Sequence, residues 1–325
     1  MLARVVENVY WLARYLERAE NTARLVSVNT HSQLDLPPGY ALGWLPLIDI
    51  TGSREAFDAS SRRSEEREIV QFLIADIGNP GSMAASLQLA RENARTLRDI
   101  LPTDGWEVLH QFFLEFTEEL PTGLNRRSRF NFLKRSVLQL QTLAGVLDGT
   151  MNRNDAYTFM MLGRNLERAD MSSRIADVRA AQLEAAPPGE MRPFDTIQWM
   201  SVLRSLSGYE MYRLSRRARV SRADVLEFVL RDEQFPRSCR SCLVQTQEWV
   251  RAVPRSGVVL DALALASRFL AAADLTRLDQ NALHELIDQL QLRIIGVHDT
   301  LARTYFPSAE AHPAPQSTTP LAAAV

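Results

Sequence analysis

Apolar residues recur at spacings of three and four along most of the chain, whereas alternating β-branched runs flanked by turn formers are hard to find. The periodicity predicts helices at roughly 2–33, 40–50, 64–76, 82–101, 104–120, 127–150, 154–186, 195–217, 221–232, 237–253, 256–273 and 279–305. An all-α fold is therefore expected. The breaks between these segments have chemical causes, because Pro37-Pro38-Gly39, Asn79-Pro80-Gly81, Pro102, Pro121, Pro187-Pro188-Gly189, Pro236 and Pro254 interrupt a helical hydrogen-bond ladder. Ser82, Thr103, Asn154 and Ser221 stand where a side-chain oxygen would cap a helix start. Beyond residue 307 the chain turns to Ala, Pro, Ser and Thr, and residues 308–325 are expected to be a disordered tail.

The helical pattern repeats. VYWLARYLERAENTARLV, from Val9 to Val26, returns 150 positions later as FMMLGRNLERADMSSRIA, from Phe159 to Ala176. Arg14, Glu17, Arg18, Glu20 and Arg24 are answered by Arg164, Glu167, Arg168, Asp170 and Arg174. FLIADIGNPGS (Phe72 to Ser82) faces FVLRDEQFPRS (Phe228 to Ser238) at an offset of 156, Trp44 faces Trp199 at 155, and Glu92 and Arg95 face Glu248 and Arg251. The small insertion thus falls near 187–189. These matches predict an internally duplicated multi-helix bundle with pseudo-twofold symmetry: a first repeat over 1–150 and a second over 151–307, packed as one body because 148–155 offers no flexible linker.

On a helix, Leu12, Leu16, Ala19, Ala23 and Val26 form one apolar stripe, while Arg14, Glu17, Arg18 and Asn21 lie opposite. Trp11, Leu25 and Val28 project within the charged sector, as do Met161, Ile175 and Val178 in the second copy. Both charged faces are therefore expected to be partly buried, and buried ions must pair. Glu20 to Arg24 and Arg14 to Glu17 are spaced for pairs within one helix, and two copies meeting at a pseudo-twofold would allow pairs between helices. The pattern supports two readings of Arg14, Glu17, Arg18, Glu20, Asn21, Arg24, Arg164, Glu167, Arg168, Asp170 and Arg174. One is an ion-pair network that docks the two long helices. The other is an arginine-rich pocket for a carboxylate or phosphate, since planar guanidinium forks suit such anions.

The 325 residues are 46% apolar, enough for a sizeable core, and 37 basic against 39 acidic residues leave a net charge of −2. No global field points to nucleic acid or to an anionic membrane. Lys134 is the only lysine, a bias that makes each arginine individually weak evidence. The charged start lacks the apolar core of a signal peptide and no run of about 18 apolar residues occurs, so a cytoplasmic protein without a membrane span is expected. Cys239 and Cys242 form a lone CxxC with no second half to complete a metal site, and are expected to be two small buried helix residues. None of His31, His110, His284, His298 and His312 has ligand-like spacing to another, and His298 is expected to be a packing or surface residue. No nucleophile with a base partner, metal cluster, phosphate loop or dinucleotide fingerprint is visible, so no catalytic residue, metal or cofactor is expected.

MLARVVENVYWLARYLERAENTARL, GTMNRNDAYTFMMLGRNLERADMSSRI, ARENARTLRD and FPRSC resemble the bacterial alpha-E family, over nearly everything from Met1 to about Phe306. That family is named for its helices and a Glu-Arg motif, here Glu17-Arg18 and Glu167-Arg168. The resemblance implies a circularly permuted ATP-grasp protein and a transglutaminase-like protease as partners, with a proteasome-like hydrolase in some cases. It also implies a non-catalytic, accessory role in joining or cleaving peptide-like amide bonds, with a peptide or small anionic ligand at the arginine cluster. The alternative is a stand-alone enzyme or sensor for a small anion. The chain departs from the family pattern at Ala13, where Gly163 in the second copy is the usual type; the change should matter only for close packing.

Overall fold

The computed structural model describes residues 2–33, 43–184, 192–216, 219–275 and 278–306, with backbone alone at 181–184 and 192–195. Every regular element among them is a helix: α1 (Ala3–Ser32), α2 (Leu45–Ile50), α3 (Arg54–Ala59), α4 (Glu66–Ile74), α5 (Met83–Thr96), α6 (Thr103–Gly123), α7 (Arg129–Thr150), α8 (Asp155–Glu184), α9 (Arg192–Ser205), α10 (Tyr209–Arg216), α11 (Arg222–Arg231), α12 (Cys239–Val250), α13 (Gly257–Ala272) and α14 (Gln280–Tyr305). The expected tail, Pro37-Pro38-Gly39, Pro187-Pro188-Gly189 and His312 lie outside the described residues.

The two 30-residue helices α1 and α8 pack on each other more extensively than any other pair. Around them the contacts fall into two parallel series. Helix α1 packs on α5 and α7, with α6 against both of these; α8 packs on α12 and α14, with α13 against both of these. Helix α2 crosses to α8, and α9 crosses to α1. One apolar cluster gathers α8, α9 and α11 to α14 together with Val6, Tyr10 and Leu25 of α1; a second gathers Ala19, Ala23 and Val26 with α2 to α7. The stripe residues Leu12, Ala19, Ala23 and Val26 are buried and Leu16 is half-buried.

Several helix ends form as the sequence predicts. Ser82 Oγ accepts from Ala85 N at 3.1 Å and Ser221 Oγ from Asp224 N at 3.2 Å, and Asn154 Oδ1 accepts from Ala156 N at 3.1 Å ahead of α8. Thr103 does not cap: it is the first residue of α6, and Pro102 holds the cap position. Nor does Pro121 stop α6, which runs on to Gly123. A proline one turn from a helix end removes a single ladder bond, and Leu124 N still reaches Leu120 O at 3.2 Å.

The helix expected over 195–217 is two helices, α9 and α10. They part at Ser207, whose φ of 55° is left-handed, with Gly208 N bonded to Leu203 O at 2.8 Å and Ser207 N to Arg204 O at 3.0 Å. This is a Schellman closure, and serine rather than glycine at the left-handed position hides it in the sequence. Helix α3, which the periodicity does not mark, follows the same closure at the end of α2: Gly52 has a φ of 65°, Ser53 N bonds Ile48 O and Gly52 N bonds Asp49 O, both at 3.0 Å. No described helix is long and apolar enough to cross a membrane.

A candidate ligand site at the crossed Glu-Arg motifs

Helices α1 and α8 approach closely at Gly163, where an added Cβ would lie 2.3 Å from the carbonyl oxygen of Tyr10 and 3.4 Å from the Cβ of Ala13. Gly163 thus permits the approach, and Ala13, where the chain departs from the usual glycine, lies at the same crossing. The approach makes the two Glu-Arg motifs exchange partners. Arg18 Nε donates to Glu167 Oε1 at 2.7 Å and its Nη2 to Oε2 at 3.2 Å. Reciprocally, Arg168 Nε donates to Glu17 Oε2 at 2.9 Å.

Each carboxylate then takes a second arginine, from different places. Arg14 Nε donates to Glu167 Oε2 at 2.6 Å, so Arg14 reaches across to α8 rather than along its own helix to Glu17. Glu17 is already engaged, because Arg237 Nη1 donates to its Oε1 at 2.5 Å; the same Nη1 reaches Asn21 Oδ1 at 2.9 Å and Nη2 reaches Glu20 Oε1 at 2.8 Å. The pairs spaced by four do form along each helix: Arg24 Nη2 to Glu20 Oε1 at 2.7 Å, and Arg174 Nε to Asp170 Oδ1 at 3.0 Å. Arg164 lines a small recess beside Glu17 and Glu20 and makes no ion pair within 4 Å among the described residues.

The cluster is buried, as the flanking apolar residues predict: Arg14, Glu17, Glu20, Asn21, Glu167, Asp170 and Arg174 are buried, and Arg18 and Arg168 retain limited solvent contact. Burial would raise the carboxyl of Glu167, but Arg18 and Arg14 outweigh it and hold it at about 2. Burial likewise opposes ionisation of Glu17, and Arg168, Arg237 and Arg164 overcome it to hold that carboxyl below its usual value. Both acids are therefore ionised and hydrogen-bonded, which makes them poor proton carriers near neutrality.

On the Glu167 side the packing leaves a cavity of about 130 Å³. Helix α1 contributes Trp11, Arg14, Arg18 and Thr22, and α8 contributes Glu167, Asp170, Met171 and Arg174. The walls between them are the α2–α3 connection, with Gly52 and Ser53, and the Asn79-Pro80-Gly81 turn before α5. Nη1 and Nη2 of Arg174 and Oγ1 of Thr22 are buried without a hydrogen-bond partner among the described residues.

A family model described as a predicted alpha-helical domain with a conserved ER motif matches residues 1–306. The chain belongs to this Alpha-E family. Among curated proteins, the Alpha-E chain is 28% identical over 272 residues to an uncharacterized protein of Mycobacterium bovis, and equally to one of Mycobacterium tuberculosis; the match covers 77% of this chain and 29% of each relative. The chain thus spans under a third of the length of these relatives. No solved structure matches it.

Other candidate residues of the Alpha-E chain fall outside the cluster's chemistry. Cys239 and Cys242 are free and buried on α12, with Sγ atoms 3.4 Å from Ala169 O and 3.5 Å from Pro236 O. Burial pushes the Cys242 thiol up to about 12 and raises that of Cys239 as well, so neither is a ready thiolate. His298 packs against Tyr10 and Trp11 with Nδ1 2.8 Å from the Tyr10 hydroxyl; burial and then Arg14 press its pKa down to about 3.

Sequence spacing missed two features. Arg237, from the turn before α12, completes the Glu17 side, and its only sequence signal is its place in FPRS, where the matching NPGS has Gly81. Asp177, His284 and Asp288 also converge, their ligand-type atoms within 4.8 Å of one another, a donor set a divalent ion could use. The imidazole ring instead bridges the acids, with Nδ1 2.7 Å from Asp177 Oδ2 and Nε2 3.6 Å from Asp288 Oδ2.

Proposed function

We propose that this Alpha-E chain is a non-catalytic helical partner of a circularly permuted ATP-grasp ligase and a transglutaminase-like protease in the cytoplasm, and that it presents a small anionic ligand or peptide to amide chemistry carried out by those partners. The observation that carries this reading is the division of labour in the cluster: both Glu residues are committed to arginine pairs, while further arginine donors face one cavity. Such a site can hold and orient an anion but has no poised base. Relatives in which the matched segment is only 29% of the chain fit a domain that works beside others.

The same reading treats residues 1–150 and 151–307 as duplicated repeats around a pseudo-twofold between α1 and α8. Reciprocal Arg18–Glu167 and Arg168–Glu17 bonds and the two parallel packing series support it, as do matching turns in which Asp76 Oδ1 accepts from Gly78 N and Asp232 Oδ1 from Gln234 N. The test is an ATP-consumption and product assay with the ATP-grasp protein alone, the Alpha-E chain alone, and both together. The expected outcome is no turnover by the Alpha-E chain alone and a change in rate or acceptor choice on mixing. Identical behaviour of ligase and mixture, under conditions where the two demonstrably bind, rejects the accessory role and leaves a stand-alone sensor of the same anion.

A further inference from the structure

We propose that the cavity beside Glu167 binds the carboxylate of an α-amino acid, free or at the C-terminus of a short peptide, with Arg174 as its seat and the amino or amide end at the mouth. This rests on the ligand-presenting reading above and makes it specific: the occupant is a monocarboxylate, held acid-first.

The cavity exists because of a difference between the repeats. Gly81 stands in sequence where Arg237 stands in the second copy. The Arg237 guanidinium fills the space over Glu17, Glu20 and Asn21, whereas Gly81 brings no side chain to the space over Glu167, Asp170 and Met171. The room is also tight around Gly81, where an added Cβ would lie 2.9 Å from Ser53 Oγ. The resulting volume of about 130 Å³ suits one small organic molecule.

The donors select an anion. Arg174 is 1% exposed and commits only Nε, to Asp170, so its Nη1 and Nη2 form an unused planar fork. Thr22 Oγ1, fully buried, is likewise unused. Arg14 commits Nε to Glu167 and Nη1 to the Tyr10 hydroxyl, and Arg18 commits Nε and Nη2 to Glu167, which leaves Arg14 Nη2 and Arg18 Nη1 without a hydrogen bond among the described residues. A carboxylate matches the fork geometry of one guanidinium and can accept from a hydroxyl as well.

Charge then separates carboxylate from phosphate. Arg14, Arg18 and Arg174 balance Glu55, Glu167 and Asp170 over the whole lining, but Glu55 is exposed, so the inner groups alone carry one net positive charge, which one carboxylate neutralises and a phosphate dianion overshoots. Glu55, exposed at the mouth, disfavours a second negative charge and suits an ammonium or amide N–H. Gly52 guards the fork: its left-handed φ of 65° and the 3.2 Å between an added Cβ and Arg174 Nη1 keep that wall free of side chain.

The experiment is calorimetric titration of the full chain, without any partner protein, with L-alanine, the dipeptide Ala-Ala, alanine methyl ester and inorganic phosphate. L-alanine or Ala-Ala is expected to bind, with the tighter of the two naming the source, while the ester and phosphate bind at least tenfold more weakly. Thr22→Val, which matches the hydroxyl in shape and breaks no existing hydrogen bond, should weaken binding severalfold with an unchanged melt; Arg174→Lys, which keeps the charge but loses the fork, should weaken it more than tenfold. Binding of neither carboxylate, phosphate equal to the carboxylates, or affinities untouched by Thr22→Val and Arg174→Lys would each overturn the proposal. Carboxylate binding without any effect on a ligase leaves this site standing and rejects only the partnership.

Discussion

The Glu17 side and the Glu167 side of the α1–α8 crossing carry the same motif and the same number of arginine partners, yet the Glu17 side keeps a recess of about 20 Å³ and the Glu167 side a cavity of about 130 Å³. On the Glu17 side the second arginine, Arg237, arrives from the turn before α12 and its guanidinium fills the space above the carboxylate. On the Glu167 side the second arginine is Arg14, from α1 itself, and the equivalent turn ends in Gly81. The motif therefore specifies how the helices dock. What each docked carboxylate faces is decided by a third element, one residue in a loop.

The largest expected effect tests whether the Glu17 side is closed. Glu17→Ala takes from Arg168 its carboxylate and from the buried Arg237 one of its two, and breaking a buried pair of this kind costs about 3–5 kcal/mol. Glu167→Ala strands Arg14 and Arg18 at the cavity wall, where water can replace part of the lost solvation, so its cost should be smaller. Denaturant unfolding of both variants ranks them, and the reverse order would break the comparison.

Acid should act on the two sides through different groups. With its folded pKa at about 2, below the ordinary 4.5, Glu167 contributes stability that is present above pH 4.5 and lost as pH falls toward 2, roughly 3 kcal/mol in all. His298, behind Arg14, is held neutral down to about pH 3, so below pH 6.5 the unfolded chain takes up a proton that the folded chain refuses. Stability then falls by at most about 1.4 kcal/mol per pH unit, less for its partial exposure. His284 has the opposite sign. Asp177 outweighs burial and raises its pKa above 6.5, so its contribution is complete below pH 6.5 and fades as pH rises through the folded value. Unfolding midpoints across pH should show His298→Gln flattening the slope between pH 6.5 and 4.5, and His284→Gln removing the loss on the alkaline side. A wild-type profile flat from pH 6.5 to 3 would contradict the burial of both Glu167 and His298.

The next effect concerns the crossing itself. Gly163→Ala forces a Cβ against the Tyr10 backbone and should cost about 1–3 kcal/mol by pushing α1 and α8 apart. Ala13→Gly, at the matching position, removes a methyl without a clash and should cost about 0.5–1 kcal/mol from helix propensity. Melting both variants sharpens the comparison, since equal losses would mean that the close approach does not hold the exchanged motifs in place.

The helices, most of their ends and the burial of the charged faces were legible because each rests on a local signal: three-to-four periodicity, a proline, a serine three residues ahead of an unpaired N–H. The partner exchange of Arg14 was not, because spacing along one helix says nothing of which carboxylate a facing helix offers. The α9–α10 break was hidden by a serine in a glycine's conformation at Ser207. The cavity was hidden more deeply. It depends on Gly81 lacking what Arg237 has, and a missing side chain has meaning only once the structure shows what surrounds it.

The smallest expected effect probes those two turns, where the sides should behave alike. Ser82 Oγ caps α5 through Ala85 N at 3.1 Å, and Ser238 Oγ caps α12 through Ser241 N at 3.0 Å. Removing either hydroxyl should cost about 1 kcal/mol. Ser238 also donates to Asp232 O, so Ser238→Ala should be the worse of the pair, and it should loosen the backbone that carries Arg237 over Glu17. Ser82→Ala, by contrast, loosens the turn that walls the cavity, so its signature should be weaker L-alanine binding with a similar loss in melting temperature. Equal binding by both variants and wild type would show that the cavity's floor is set by the helices alone, and that the two turns do not govern what the paired carboxylates face.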